Sequence, residues 1–318
     1  MDASVIIVNW NTRDLVLDCI RSVVACKEGC DVEIVVVDNG STDGSCASIR
    51  REFPDVRLIA NDCNLGFARA VNMGIRSAAG RHLVLLNSDA RLRPGALKGA
   101  IAYLDENEHV GAVGAQLLNP DGSRQTSFDN FPTLASELIN KSLLRALLPH
   151  RFPSKKQEFS GPVRVESIIG AFMAVPRRVA ERVGPLDESF FFFLEETDWC
   201  FRIARAGYDV VHAPHLLVEH LQGQSKSSVQ TEAKIEYLRS LYRFFKKNRR
   251  PVSYLVLRLA KPLKYFFAFF VLLLASVFTL LAVPSLRARL VGSFRILRWH
   301  LMICPSSAGL SGVRRENP

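Results

Sequence analysis

Residues 82–89 read His82-Leu83-Val84-Leu85-Leu86-Asn87-Ser88-Asp89: an apolar run without alternation that stops abruptly on three polar residues. A strand apolar at every position is covered on both faces, and that is the condition of a parallel sheet with helices on either side. The same grammar recurs through the first 115 residues. Strands are expected at Ser4–Asn9, Glu33–Asp38, Val56–Ala60, His82–Asn87 and Val110–Ala115. Helical patterns lie between them, near Arg13–Ala25, Gly44–Glu52, Phe67–Ala79 and Gly95–Glu106. Alternating strands and helices predict an α/β fold with a mostly parallel central sheet. Ligands of such sheets bind at the carboxyl ends of the strands. The polar punctuation falls there, at Asn9-Trp10-Asn11, Asp38-Asn39-Gly40-Ser41 and Asn87-Ser88-Asp89.

Beyond residue 116 the pattern loosens. Asn119-Pro120-Asp121-Gly122 signals a turn, 138–148 a short helix, and 149–162 a loop. Ser167–Val175 is expected as one strand, Asp209–Ala213 and Leu216–His220 as two short ones, and Glu232–Asn248 as an amphipathic helix. Then 265–283 runs for 19 residues without a charge, YFFAFFVLLLASVFTLLAV, about 28 Å as a helix and enough to cross a hydrocarbon core. A basic apolar segment, Leu286–Met302, follows.

The formal net charge of +10 is unevenly spread. Residues 231–318 hold 16 Lys/Arg and 3 Asp/Glu, hence +13, whereas 1–230 hold 25 and 28, hence −3. Nucleic-acid binding would interleave basic residues with exposed aromatics on one face. Here the excess flanks an apolar run, which points to an anionic membrane surface and away from nucleic acid. The seven cysteines form no CxxC pair and fit a reducing cytoplasm. No signal peptide is visible before Val5-Ile6-Ile7-Val8.

Several segments carry chemistry. Asp38 ends a buried strand and can accept hydrogen bonds from a base or ribose, while Ser41 or Asp43 can cap the next helix. Asn64-Leu65-Gly66 is a turn into a helix whose N-terminus suits phosphate, with Arg69 in its first turn; taken by itself, an ordinary loop-helix junction is the favoured reading. Asp89 is a carboxylate at the cleft edge where a hard cation on a diphosphate needs one or two oxygens, though for an isolated Asp a turn-forming role is the better reading. Glu195-Glu196-Thr197-Asp198 sets three acids at a helix start. The helix dipole and an Asp198–Arg202 pair account for Asp198. Glu195 and Glu196 follow five apolar residues, Phe190–Leu194, and partial desolvation raises a carboxyl towards general-base range. His220 closes a strand, where it can ligate metal or simply cap.

Taken in order, eight segments resemble the inverting GT-A glycosyltransferases of family 2, in particular their rhamnosyltransferase-like branch. They are VIIVNWN (5–11), VVDNGSTDGS (36–45), NLGFARAVN (64–72), LLNSDAR (85–91), GAFM (170–173), GPLDESF (184–190), EETDWCFR (195–202) and HLQGQS (220–225). The resemblance covers roughly residues 3–245. It implies that Asn9, Asp38, Asn64, Gly66 and Asn72 serve the nucleotide donor. It implies that Asp89 and His220 hold Mg²⁺ or Mn²⁺, and that Glu196, with neighbours Glu195 and Asp198, deprotonates the acceptor beside Gly170 and Ala171. Asn87 stands where the metal motif usually has its first Asp. Glu196 stands where Asp is more usual, so either the backbone sits farther back or Glu195 is the base.

The expected protein is therefore a GT-A catalytic domain over 1–245 with a membrane-associated helical region over 251–318. The resemblance implies transfer of a sugar, rhamnose from dTDP-rhamnose being the leading choice, to a lipid-linked or polysaccharide acceptor in bacterial surface-glycan assembly. Its expected place is the cytoplasmic face of the inner membrane, single-pass or monotopic. The rivals are a catalytically inactive scaffold of the same fold and a basic nucleic-acid-binding protein.

Overall fold

The computed structural model describes residues 1–27, 29–147, 159–221, 230–279, 282–305 and 308–310. In chain order the elements begin β1 (Ala3–Asn9), α1 (Arg13–Ala25), β2 (Val32–Asp38), α2 (Ser45–Glu52), β3 (Arg57–Ala60), α3 (Phe67–Ser77) and β4 (His82–Asn87). They continue with β5 (Ala90–Leu92), α4 (Ala96–Glu106), β6 (Val110–Leu118), β7 (Phe128–Asp129), α5 (Leu134–Leu138), α6 (Lys141–Leu147), β8 (Val163–Arg164) and β9 (Ser167–Ile168). Last come β10 (Phe172–Pro176), α7 (Arg177–Val183), α8 (Glu195–Arg205), β11 (Asp209–His220), α9 (Gln230–Asn248), α10 (Pro251–Phe278) and α11 (Pro284–Leu301).

Two compact units emerge: described residues within Met1–Phe131, Leu148–Phe191 and Glu195–Gln224 form one, and those within Pro132–Leu147, Phe192–Leu194 and Ser225–Pro318 form the other. The first unit is built on a sheet in the order β3-β2-β1-β4-β10-β6-β11-β5, with β8 beside β11. β3, β2, β1 and β4 run parallel, and so do β6 and β11. The apolar strands cover both faces, as their lack of alternation requires. Val5, Ile7, Val36 and Leu86 point to one core with α1 and α4, while Ile6, Val35, Leu85 and Trp199 point to the other with α3, α7 and α8.

Three strand and helix expectations are corrected. Ser167–Val175 is two elements, β9 and β10, broken at Gly170, and β10 enters the sheet antiparallel between β4 and β6. Full burial on both faces carries no information about strand direction, so the sequence pattern could not give it. Asp209–Ala213 and Leu216–His220 are one strand, β11, whose pairing with β6 shifts register between Ala213 and Leu217. Pro214 lies in that shift, where a missing N–H costs no ladder bond. The helix expected at 138–148 is α5 and α6, and Leu148 and most of 149–162 lie outside the described residues, as does 222–225 of the HLQGQS segment.

In the second unit α10 runs for 28 residues, starting 14 residues before the uncharged stretch at Tyr265. Arg258, Lys261 and Lys264 break the apolar run in sequence without breaking the helix. Leu280 and Leu281 of that stretch lie outside the described residues.

Candidate active site

The carboxyl ends of β1, β2 and β3 gather the first group of residues. Register places Asn9 opposite Asp38, and the Asn9 amide donates to Asp38 Oδ1 at 2.7 Å and to Ser41 Oγ at 3.1 Å. Asp38 Oδ2 accepts from the Ser41 amide at 2.9 Å. Asp38 is fully buried and shapes this turn, with the Cys46 thiol as a further hydrogen-bond partner. Asn39 ties the turn to its neighbour: its amide donates to Asn64 Oδ1 at 3.0 Å, and its oxygen accepts from the Leu65 amide at 3.1 Å. Asn64 Oδ1 also accepts from the Gly66 amide at 2.9 Å. Gly66 has φ +88°, and a Cβ there would stand 2.7 Å from the Phe191 carbonyl and ring, so only glycine fits.

Asn72 is not brought to this group. It is buried on α3, donates to the Leu186 carbonyl at 2.9 Å and accepts from the Leu186 amide at 3.0 Å. It thereby pins the Gly184–Phe190 segment to the helix. Arg69 is half-exposed and faces Glu188 at 3.5 Å.

Asp89 and His220, 131 positions apart, meet because β5 pairs antiparallel with the end of β11, Ala90 opposite His220. His220 Nε2 lies 3.2 Å from Asp89 Oδ1. The opposite edge of the ring is fixed by Gln125. Its amide nitrogen is committed to the His220 carbonyl at 2.6 Å and to Asn119 Oδ1 at 2.7 Å. Its oxygen therefore faces His220 Nδ1, at 3.1 Å, and Nδ1 carries the proton. In a neutral ring this leaves two acceptors, Nε2 and Asp89 Oδ1, facing each other. A cation between them satisfies both, so the donor set fits a divalent metal. Glu219 is turned away and held by Arg93 at 2.8 Å and Arg91 at 3.7 Å. Among the described residues no group of three or more His, Cys, Asp or Glu side chains gathers for a metal. Asp89 and His220 would supply two donors, a number that suits a cation shared with a diphosphate.

α8 begins at Glu195, and the two preceding residues, Phe193 and Leu194, sit at φ +71° and +65°. A left-handed conformation costs a non-glycine residue about 1–2 kcal/mol. Glu195 is 3% exposed and Asp198 fully buried. Asp198 accepts from Arg202 Nε at 3.0 Å, and Arg202 donates onward to the carbonyls of Val183, Gly184 and Pro185. Glu196 is only half-buried. Its carboxyl rests over Gly170, where a Cβ would stand 3.5 Å from Cδ. Burial pushes the Glu196 pKa above the ordinary 4.5, partly opposed by hydrogen bonds from its own amide and that of Gly170. Its Oε2 is sealed from solvent with no hydrogen-bond partner among the described residues. A carboxylate so placed is a stronger base than a free one.

Sequence reasoning missed Gln125 and the supporting roles of Thr12, Asn39 and Ser88. Thr12 Oγ1 donates to Asn9 Oδ1 at 2.7 Å and lies 2.9 Å from Ser88 Oγ, linking the β1 and β4 ends. Gln125 follows a turn in an irregular stretch, where no periodicity marks it.

Residues 4–184 match the family described as Glycosyl transferase family 2. Over 213 residues the chain is 28% identical to an N-acetylglucosaminyl-diphospho-decaprenol L-rhamnosyltransferase of Mycobacterium tuberculosis, covering 61% of this chain and 68% of that relative. It is 27% identical over 199 residues to the dTDP-rhamnosyl transferase RfbF of Shigella flexneri, 62% of each. Among solved structures it resembles the mannosyltransferase PcManGT of Pyrobaculum calidifontis, in complex with GDP-Man and Mn²⁺. The TM-score is 0.58 at 20% identity, covering 95% of this chain and 86% of that one. It also resembles GalNAc-T7 with UDP, GalNAc and Mn²⁺, at TM-score 0.57 and 17% identity, covering 77% and 48%. At these identities the structural likenesses show the fold, which is the GT-A fold. None of these relatives favours the inactive-scaffold or nucleic-acid readings.

Proposed function

Because the chain belongs to glycosyl transferase family 2, in its rhamnosyltransferase-like branch, we propose that it is a metal-dependent, inverting rhamnosyltransferase of bacterial surface-glycan assembly. Its donor is dTDP-rhamnose and its acceptor a lipid-linked or polysaccharide glycan. The rhamnosyltransferase relatives support the sugar. The observation that carries the metal-dependent chemistry is the Asp89–His220 pair, 3.2 Å apart at the strand ends with its acceptors facing.

A divalent cation, when bound, neutralises the charge that develops on the departing diphosphate. Asp89 and His220 are its protein ligands, and the imidazole tilts the choice towards Mn²⁺ over Mg²⁺. Gln125 keeps the proton on His220 Nδ1, so Nε2 stays a ligand. Asn9, Asp38, Asn64 and Gly66 form the nucleotide-facing turn. Glu196 takes the proton of the acceptor hydroxyl as that oxygen attacks the anomeric carbon opposite the leaving group. A single displacement inverts the configuration, with no covalent enzyme intermediate. Of the two candidate bases Glu196 is favoured, because Glu195 is buried at 3% exposure whereas Glu196 is only half-buried.

Residues 1–245 form the catalytic part in this reading. Residues 251–318 attach it to the cytoplasmic face of the membrane. α10 supports this: it is long and apolar enough to cross a bilayer, and only 11% of its most apolar window is buried within the protein.

The test is release of dTDP from dTDP-rhamnose by the full chain with Mn²⁺ or Mg²⁺, with and without a lipid-diphosphate acceptor. Release stimulated by acceptor supports the proposal. No nucleoside diphosphate released from any nucleotide sugar with either metal overturns it.

A further inference from the structure

α10 has two unlike sides. At about 100° per residue, Val252, Leu259, Leu263, Phe270, Leu274 and Val277 fall on one face, and each is 44–70% exposed. The stripe is about 38 Å long and starts far ahead of the uncharged stretch. Two of the charges that interrupt the run in sequence, Arg258 and Lys261, are turned to the other side, and Lys264 is exposed. Lys261 is buried and donates to Glu137 Oε2 at 2.7 Å, and Arg258 lies over the Tyr242 ring at 4.8 Å. α11 folds back along α10, with Phe294 against Phe269 at 5.9 Å and His300 against Tyr265 at 5.8 Å. On its exposed side Arg287 and Arg298 alternate with Val291, Phe294 and Leu301.

We infer that α10 lies lengthwise in the headgroup boundary of an anionic bilayer, apolar stripe inward, with Arg287 and Arg298 of α11 on the lipid phosphates, and does not cross the membrane. The exposed apolar surface of α10 lies to one side, with Lys261 buried on the other, as in a helix lying in the interface. Crossing would also carry α11, packed along it, into hydrocarbon with Arg287, Arg289, Arg295 and Arg298, which is expensive. A 38 Å stripe exceeds the roughly 30 Å hydrocarbon thickness but has no such limit in the plane. The occupant is an anionic surface because residues 231–318 carry +13. The inference rests on membrane attachment and not on the transfer chemistry. Vesicle binding therefore tests it, and dTDP release in lipid-free buffer tests the enzymatic reading separately.

The experiment uses the full chain with vesicles of phosphatidylcholine alone or with 30% phosphatidylglycerol. Binding is expected to the anionic vesicles and to weaken with salt. Removing two exposed charges, Arg287→Ala with Arg298→Ala, is expected to lower affinity about 30-fold, at about 1 kcal/mol per basic residue. A fluorophore on Leu255→Cys and one on Leu274→Cys, against labelled wild-type as blank, are expected to report the same shallow depth with lipid-borne quenchers. A deep Leu274 with a water-exposed Leu255 overturns the inference in favour of a span. Equal binding to neutral vesicles overturns the anionic partner. A lipid-free dimer that ignores vesicles would show that a second copy covers the stripe. Unchanged melting of the variants shows that they fold.

Discussion

Replacing Glu196 by Gln separates the base from the scaffold. The amide has the carboxylate's size and keeps its seat over Gly170, 3.5 Å from where a Cβ would stand. It cannot accept a proton at neutral pH. Loss of a positioned base costs about 10²–10⁴-fold in rate, so kcat should fall by that factor while KM for the nucleotide sugar stays within about twofold. Stability should respond with a definite sign. Burial raises the folded-state pKa of Glu196 above 4.5. Between 4.5 and the raised value the folded protein holds a proton that the unfolded chain has released, so stability falls as pH rises through that window. Above it the whole penalty is present, and Gln removes it. Against this, an amide nitrogen in the sealed Oε2 position costs about 1–3 kcal/mol for want of a partner. The two terms oppose each other at pH 7.5, so Tm there moves less than the lost hydrogen bond alone would move it, at roughly 2–4 °C per kcal/mol. As pH drops through that window towards 4.5 the wild-type protein sheds its penalty and gains on the variant. The assays are steady-state dTDP release and thermal melting at pH 5 and 7.5. A variant within tenfold of wild-type kcat refutes the role of the base. A wild-type protein that loses stability relative to the variant as pH falls refutes the desolvation argument.

Other substitutions test the scaffold around the site. Gly66→Ala combines φ +88° with a 2.7 Å clash against the Phe191 carbonyl and should cost about 2 kcal/mol or more, read as a Tm loss of about 4–8 °C. Asn72→Ala strips both Leu186 backbone groups of their partners and should cost about 2–3 kcal/mol, with KM for the nucleotide sugar nearly unchanged. Gln125→Leu frees His220 Nδ1 and should weaken Mn²⁺ affinity about 10–100-fold. Direct titration of Mn²⁺ by paramagnetic resonance measures this without turnover.

Much of the first sheet was legible because an apolar run ending on Asn or Asp states both burial and the position of the cleft. β1, α1, β2 and β4 stand within a residue or so of expectation. Strand direction was not legible. Phe172–Pro176 is buried on both sides and reads the same in either sense, so its antiparallel entry between β4 and β6 needed the structure. The meeting of Asp89 with His220 depends on β5, a three-residue strand too short to announce itself; family resemblance implied the pair, and spacing alone could not. Gln125 was invisible because its role lies in two hydrogen bonds that its side-chain amide makes to His220 across the fold. Asn72 shared a motif with the donor residues, yet its amide is spent on Leu186. Lys261 of α10 looked like an interruption in one dimension and is turned inward in three, onto Glu137.

The most direct test of the central claim is Mn²⁺-dependent dTDP release from dTDP-rhamnose by wild-type and Asp89→Ala protein, each before and after chelation. The account predicts release by the wild type that chelation abolishes and added Mn²⁺ restores, and release at least about 100-fold lower in Asp89→Ala at every Mn²⁺ concentration. Equal release by the two proteins, or release indifferent to chelation, would contradict it.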